Sequence, residues 1–81
     1  MRIFDDNNDR PLNSVLLLLT IAETKDLIGN LQDSIERINQ EGYHFHIDDN
    51  EFKHQITGVI YTDDNKNSLS VRLQRLITEN S

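Results

Sequence analysis

The stretch Ser14-Val15-Leu16-Leu17-Leu18-Leu19-Thr20-Ile21-Ala22 decides how this chain is read. Five consecutive aliphatic residues fit a strand covered on both faces, and the run is far too short to cross a membrane. Alternation over residues 14–22 sends Val15, Leu17, Leu19 and Ile21 to one face and Leu16, Leu18 and Ala22 to the other. A small two-layer domain has helices on one face of its sheet only. Leu16 and Leu18 therefore need a cover, supplied by the leading segment, a further helix or another subunit.

Downstream, the spacing predicts an amphipathic helix over 23–41. Leu27, Leu31, Ile35 and Ile38 recur at helical intervals with Ile28 beside them, while Glu36, Arg37, Gln40 and Glu41 point to solvent. Thr24 is the expected N-cap and Asp26 sits in the first turn, where the helix dipole favours an anion. Gly42 stands where a left-handed residue ends a helix. Gly29 lies within the helix and has no assigned role.

Residues 43–62 read as a hairpin. Tyr43, Phe45 and Ile47 alternate with His44, His46 and Asp48, and Asp48-Asp49-Asn50-Glu51 is turn chemistry. A four-residue turn pairs Ile47 with Phe52, Phe45 with His54 and Tyr43 with Ile56. One face then holds Tyr43, Phe45, Ile47, Phe52, Ile56 and Ile60, and the other His44, His46, Lys53, Gln55, Thr57 and Val59. Gly58 interrupts the second strand and marks an expected bulge. After the polar turn Asp63–Asn67, Ser68 is the expected N-cap of a closing helix through Glu79. Leu69, Leu73, Leu76 and Ile77 form its stripe; a strand competes, but Leu76-Ile77 fits only the helical period.

Upstream, residues 1–14 form a leading segment. Met1–Phe4 offers a short edge strand, and Asp5–Pro11 is rich in turn formers. The expected order is β-α-β-β-α, an α+β two-layer domain with a mixed three- or four-stranded sheet, single over residues 1–81.

Composition narrows the function classes. The chain has 81 residues, 36% of them apolar, and no cysteine, so neither a disulfide nor a thiolate metal site can staple so small a core. Fourteen acidic against eight basic residues give a net charge of −6. That balance suits solubility or a basic protein partner and disfavours nucleic acid; the nearest basic grouping is Arg72 with Arg75. No signal-peptide order opens the sequence, so the cytoplasm is the expected compartment.

His44 and His46, at i and i+2 on a strand, point the same way and are the candidate metal ligands, with Asp48 extending the row and His54 expected on the opposite face. The alternatives are a half-exposed polar row, a pH-sensitive contact or a partner contact, since imidazole changes charge near neutrality. Asp48, Asp49 and Glu51, or Asp63 and Asp64, lack the spacing of a calcium loop. Ser14, Ser34, Ser68, Ser70 and Ser81 lack a nucleophile elbow, and the isolated glycines make no phosphate loop. Tyr43, Phe45, Phe52 and Tyr61 read as core more than as a base-stacking platform. No catalytic or cofactor-binding residue is expected.

The segment Gly42-Tyr43-His44-Phe45-His46-Ile47-Asp48-Asp49, after an aliphatic strand and a helix with Leu27 and Leu31, resembles small immunity proteins of bacterial polymorphic toxin systems. The resemblance covers roughly residues 15–62 and implies a cytoplasmic, non-enzymatic protein that neutralises a cognate toxin, with the His-x-His pair as its hallmark. The functional expectation is thus an acidic protein–protein interaction module and a homodimer, with a basic toxin domain as its most specific partner. Its expected partner-binding residues are Leu16, Leu18, His44, His46, Asp48 and Asp49. The alternatives are a small metal- or ligand-binding protein using His44 and His46, or a structural subunit of a larger assembly.

Overall fold

The computed structural model describes residues 1–49, 51 and 53–79. Asn50 of the expected turn, Phe52 of the expected core face and Ser81 lie outside the described residues. The element order is α1 (Ile21–Glu36), β1 (Phe45–Asp48), β2 (Gln55–Gly58), a single 3-10 turn (Lys66–Ser68) and α2 (Val71–Glu79). The chain is therefore α+β, as its patterning suggests. Its sheet, however, is a two-stranded antiparallel hairpin instead of the mixed sheet of three or four strands.

The leading residues close on themselves. Phe4 stands opposite Pro11 in an isolated bridge, Leu12 N donates to Ile3 O (2.8 Å) and Asp5 N to Arg10 O (2.8 Å). Asn7 N donates to Asp5 Oδ1 (2.9 Å) and Arg10 N to Asn8 Oδ1 (2.9 Å), the Asx bonding that favours these residues in turns. Asp9 takes the left-handed conformation (φ 60°), which Asp tolerates better than most residues. The edge strand expected of Met1–Phe4 is thus one bridge within its own loop.

The strand expected over 14–22 does not form. Residues 14–19 belong to no regular element, and Val15, Leu16, Leu17, Leu18 and Leu19 are all exposed. Exposure still alternates, with Leu16 (81%) and Leu18 (86%) the most open. Thr20 ends the segment because Thr20-Ile21-Ala22-Glu23 is a capping box: Glu23 N donates to Thr20 Oγ1 (3.1 Å) and Thr20 N to Glu23 Oε1 (2.9 Å). A helix start satisfied locally needs no partner strand, so Ile21 and Ala22 are helical and Thr20, not Thr24, is the N-cap.

Helix α1 also ends early. Past Glu36 the chain unwinds through turns, with Gln40 N donating to Arg37 O (2.8 Å) and Tyr43 N to Gln40 O (3.3 Å). Gly42 (φ 72°) closes this turn region instead of capping the helix. The early exit brings Tyr43 back, and its hydroxyl donates to Asp33 Oδ2 (2.6 Å). A helix continuing to Glu41 would carry that residue ~12 Å beyond Asp33 along the axis. The helix consequently turns Ser34 inward, where its hydroxyl is satisfied by donating to Asn30 O (2.7 Å). Of the expected apolar stripe, Leu27 and Ile38 are half-buried, whereas Ile28, Leu31 and Ile35 are exposed.

In the hairpin Phe45 pairs with Gly58, His46 with Thr57, Ile47 with Ile56 and Asp48 with Gln55. This register lies four residues from the expected one, and the connection is longer. An even slip preserves the faces, so Phe45 and Ile47 still point inward and are buried. Gly58 marks no bulge. It faces Phe45, and a β-carbon there would overlap the Phe45 ring. The closing helix forms as expected, except that Ser68 belongs to the 3-10 turn and Ser70 Oγ accepts from Leu73 N (3.3 Å) at the start of α2. Among the described residues, Leu69 and Leu76 join Phe45 and Ile47 as buried apolar side chains.

The Gly58 contact yields a stability prediction. Gly58→Ala should destabilise the domain by about 1–3 kcal/mol, the usual cost of overpacking, read from the urea midpoint. An unchanged midpoint would show that Phe45 moves aside freely.

Candidate functional site

The hairpin's outer face is built by strand alternation. It carries His46, Asp48, Gln55 and Thr57 in two cross-strand pairs, with His44 just ahead of β1. Thr57 Oγ1 is hydrogen-bonded to His46 Nδ1 (2.8 Å), and Gln55 Nε2 donates to Asp48 Oδ1 (3.1 Å). The His44 and His46 rings meet edge to face with centroids 4.9 Å apart, and His44 Nδ1 lies 3.1 Å from Gly42 O. The structure thus brings His44 and His46 together on an exposed polar row, as the i, i+2 spacing predicts.

The remaining candidates of this region are spent elsewhere. Asp49 Oδ1 accepts from Lys53 N (2.8 Å), and Asp49 Oδ2 lies 2.7 Å from His54 Nδ1, so Asp49 belongs to the turn and not to the outward row. The His54 hydrogen bond, followed by that from Lys53 N, holds the Asp49 carboxyl below its ordinary value. Zinc sites use three or four protein ligands. Among the described residues no group of three or more His, Cys, Asp or Glu side chains could hold a metal ion, so His44 and His46 stand as a pair.

A shallow cleft of about 400 Å³ lies where α1 ends, lined by Ser34, Arg37, Tyr43, Ile60, Asn65 and Leu69 among others. Several of its polar groups are engaged with one another. Tyr43 and Arg37 Nε both donate to Asp33, the Arg37 guanidinium lies 5.7 Å from the Tyr43 ring centre, and Asn65 Oδ1 accepts from Thr62 N (2.7 Å). The Tyr43 hydroxyl, then Arg37, hold Asp33 below the usual carboxyl range, and the same bond raises Tyr43. Glu41 and Asp64 also line the cleft, both on its exposed rim.

Arg72 and Arg75 also have internal work. Arg72 Nε and Nη2 donate to Asp9 Oδ1 (2.9 and 2.6 Å), Nη2 reaches Asp6 Oδ1 (2.9 Å), and Arg75 Nη2 meets Asp9 Oδ2 (3.3 Å). This cluster latches the leading loop to α2, sixty-odd residues away in the chain. Arg2 adds a second tie, a hydrogen bond to the Tyr61 hydroxyl.

The larger feature is apolar. Leu16 and Leu18 are exposed, and so are Ile21, Ile28 and Ile35 of α1. The sequence pattern named the two leucines, placed Ile21 in the expected strand and gave Ile28 and Ile35 to the apolar stripe of the helix. The Ile21, Ile28, Ile35 spacing of seven was the available signal, because it marks a stripe separate from Leu27 and Ser34. No helix among the described residues is long and apolar enough to cross a membrane. No family model matches the chain, and no curated protein or solved structure is similar to it.

The Arg72 latch predicts an acid response. Its hydrogen bonds hold the Asp9 carboxyl below the ordinary 3.8, so its stabilising contribution is full above that value and is lost as pH falls through the depressed one. Between about pH 5 and pH 2 the amides of the leading loop should lose hydrogen-exchange protection before those of β1. In Asp9→Asn that loss should already be present near neutrality; equal protection in both proteins would remove the latch.

Proposed function

We propose that this chain is a cytoplasmic, non-enzymatic protein–protein interaction module. The observation that carries the reading is the run Val15–Leu19, five aliphatic residues exposed together in a segment without strand partners. Contiguous apolar surface of this kind marks a binding site. An irregular aliphatic segment also suits strand addition, in which backbone bonds to a partner supply affinity and alternate side chains supply specificity. In this reading a third strand forms on binding, and Leu16 and Leu18 are its outward anchors.

The net charge of −6 favours a basic partner and fast, salt-sensitive encounter. Neutralisation of a basic toxin domain is the most specific form of the proposal, in line with the resemblance carried by Gly42–Asp49. The outward row of His44, His46 and Asp48 then serves as a polar contact surface.

Leu16→Asp/Leu18→Asp tests the module. Both side chains are exposed, so stability should change by no more than ~0.5 kcal/mol and circular dichroism should be unchanged. Cross-linked pull-downs from the source cell should recover a basic protein with the wild type and at least tenfold less with the double variant. Equal recovery, or no partner for either, defeats the proposal; unfolding of the variant would show that the leucines are internal.

A further inference from the structure

We infer that the outer face of the hairpin chelates a divalent transition-metal cation through the Nε2 atoms of His44 and His46. The hydrogen bonds of the two rings set this up. His44 Nδ1 lies 3.1 Å from Gly42 O, and a carbonyl oxygen only accepts, so the proton is on Nδ1 and Nε2 keeps its lone pair. His46 Nδ1 lies 2.8 Å from Thr57 Oγ1. The Thr57 hydroxyl donates onward to Gln55 Oε1 (3.5 Å), and Gln55 Nε2 donates to Asp48 Oδ1 (3.1 Å). This row runs one way because it ends on a carboxylate, which can only accept. Thr57 Oγ1 therefore accepts from His46 Nδ1, and His46 has the same tautomer as His44. An imidazole that ligates a metal characteristically donates its other N–H to such an acceptor, which fixes its tautomer and ring orientation.

The spacing of the rings agrees. Their centroids are 4.9 Å apart, and both side chains are exposed on one face of the strand. Two imidazoles sharing one ion at a metal–nitrogen distance of ~2.0–2.1 Å hold their centroids roughly 4.5–5 Å apart, for nitrogen–metal–nitrogen angles from a right angle to tetrahedral. Among the described residues no hydrogen bond reaches either Nε2. His54 stands apart, with its Nδ1 against Asp49 in the turn. Two protein nitrogens leave positions of the ion to water, so the pair is a chelate and not a closed zinc centre. It suits ions that take imidazole nitrogen together with oxygen, Cu2+ ahead of Ni2+ and Zn2+. The inference goes beyond the partner-binding reading and does not depend on it.

Calorimetric titration of the full chain with Cu2+, Ni2+, Zn2+ and Mg2+ tests the chelate. Cu2+ should bind tightest, and Mg2+, which prefers oxygen, weakest. His44→Ala and His46→Ala should each weaken Cu2+ binding by about tenfold or more, and the double variant little further, because either loss breaks the chelate. His54→Ala and Leu16→Asp/Leu18→Asp should bind Cu2+ as the wild type does, which keeps this outcome distinct from loss of a protein partner. All these side chains are exposed, so the variants keep the fold. In nuclear magnetic resonance, substoichiometric Cu2+ should broaden the His44 and His46 ring signals before those of His54. Equal Cu2+ affinity in the wild type and the His44→Ala/His46→Ala variant would overturn the inference. So would a loss seen only when both histidines are removed, Mg2+ binding as tight as Cu2+, or broadening that begins at His54.

Discussion

Phe45 lies over Gly58 of the opposite strand, and only a residue without a β-carbon leaves room for its ring. That contact sets Ile47 opposite Ile56 and turns both β1 apolar residues inward. By alternation it also sends His46, Asp48, Gln55 and Thr57 outward. Just before β1, Tyr43 is held where its hydroxyl meets Asp33 of α1. The side of α1 that carries Asp33 and Ser34 is thereby the side facing the hairpin, and the isoleucine stripe is left to solvent. One close approach between strands thus propagates to the choice of which helix face stays open.

The hairpin's faces were legible because alternation is a local signal. Its register was not, because slipping by any even number leaves inside and outside unchanged. The residue that breaks the degeneracy is Gly58, which pairs with an aromatic ring instead of marking a bulge. The closing helix was legible from Leu69, Leu73, Leu76 and Ile77, since Leu76-Ile77 has no place in a strand pattern. The start of α1 was written in Thr20-Ile21-Ala22-Glu23, but the preceding aliphatic run drew Ile21 and Ala22 into an expected strand. A capping box satisfies its own donors at once, whereas a strand needs a second backbone that this chain does not provide there.

The misplaced helix face and the missing strand have one physical source. Periodicity says which residues share a face; it does not say that the covering surface belongs to the same chain. Ile28, Leu31 and Ile35 obey helical spacing, and Leu16 and Leu18 obey alternation, yet all five are exposed. Conversely, Ser34 is buried because its hydroxyl bonds back to Asn30 O, which removes most of the desolvation cost. Of the candidate site, the His44–His46 pairing was readable from i, i+2 spacing. The diversion of Asp49 to His54 was not, since it depends on the length of the connection.

The charge pattern serves both proposed contacts. A net charge of −6 draws in basic proteins and metal cations alike. Asp26 and Glu36 of α1 remain exposed to a basic protein arriving from solution, where steering operates before contact. At the hairpin the final bond is different in kind, because a neutral imidazole nitrogen gives a lone pair and carries no charge to be screened. Exposed charges farther apart than the Debye length of ~8 Å at physiological ionic strength are largely screened, whereas a metal–nitrogen bond of ~2.0–2.1 Å is not. Salt therefore acts unequally on the two contacts: it weakens attraction to a basic partner and leaves the chelate nearly unchanged. An acidic surface alone would hold hard cations through oxygen; the two imidazoles turn that general attraction toward transition metals.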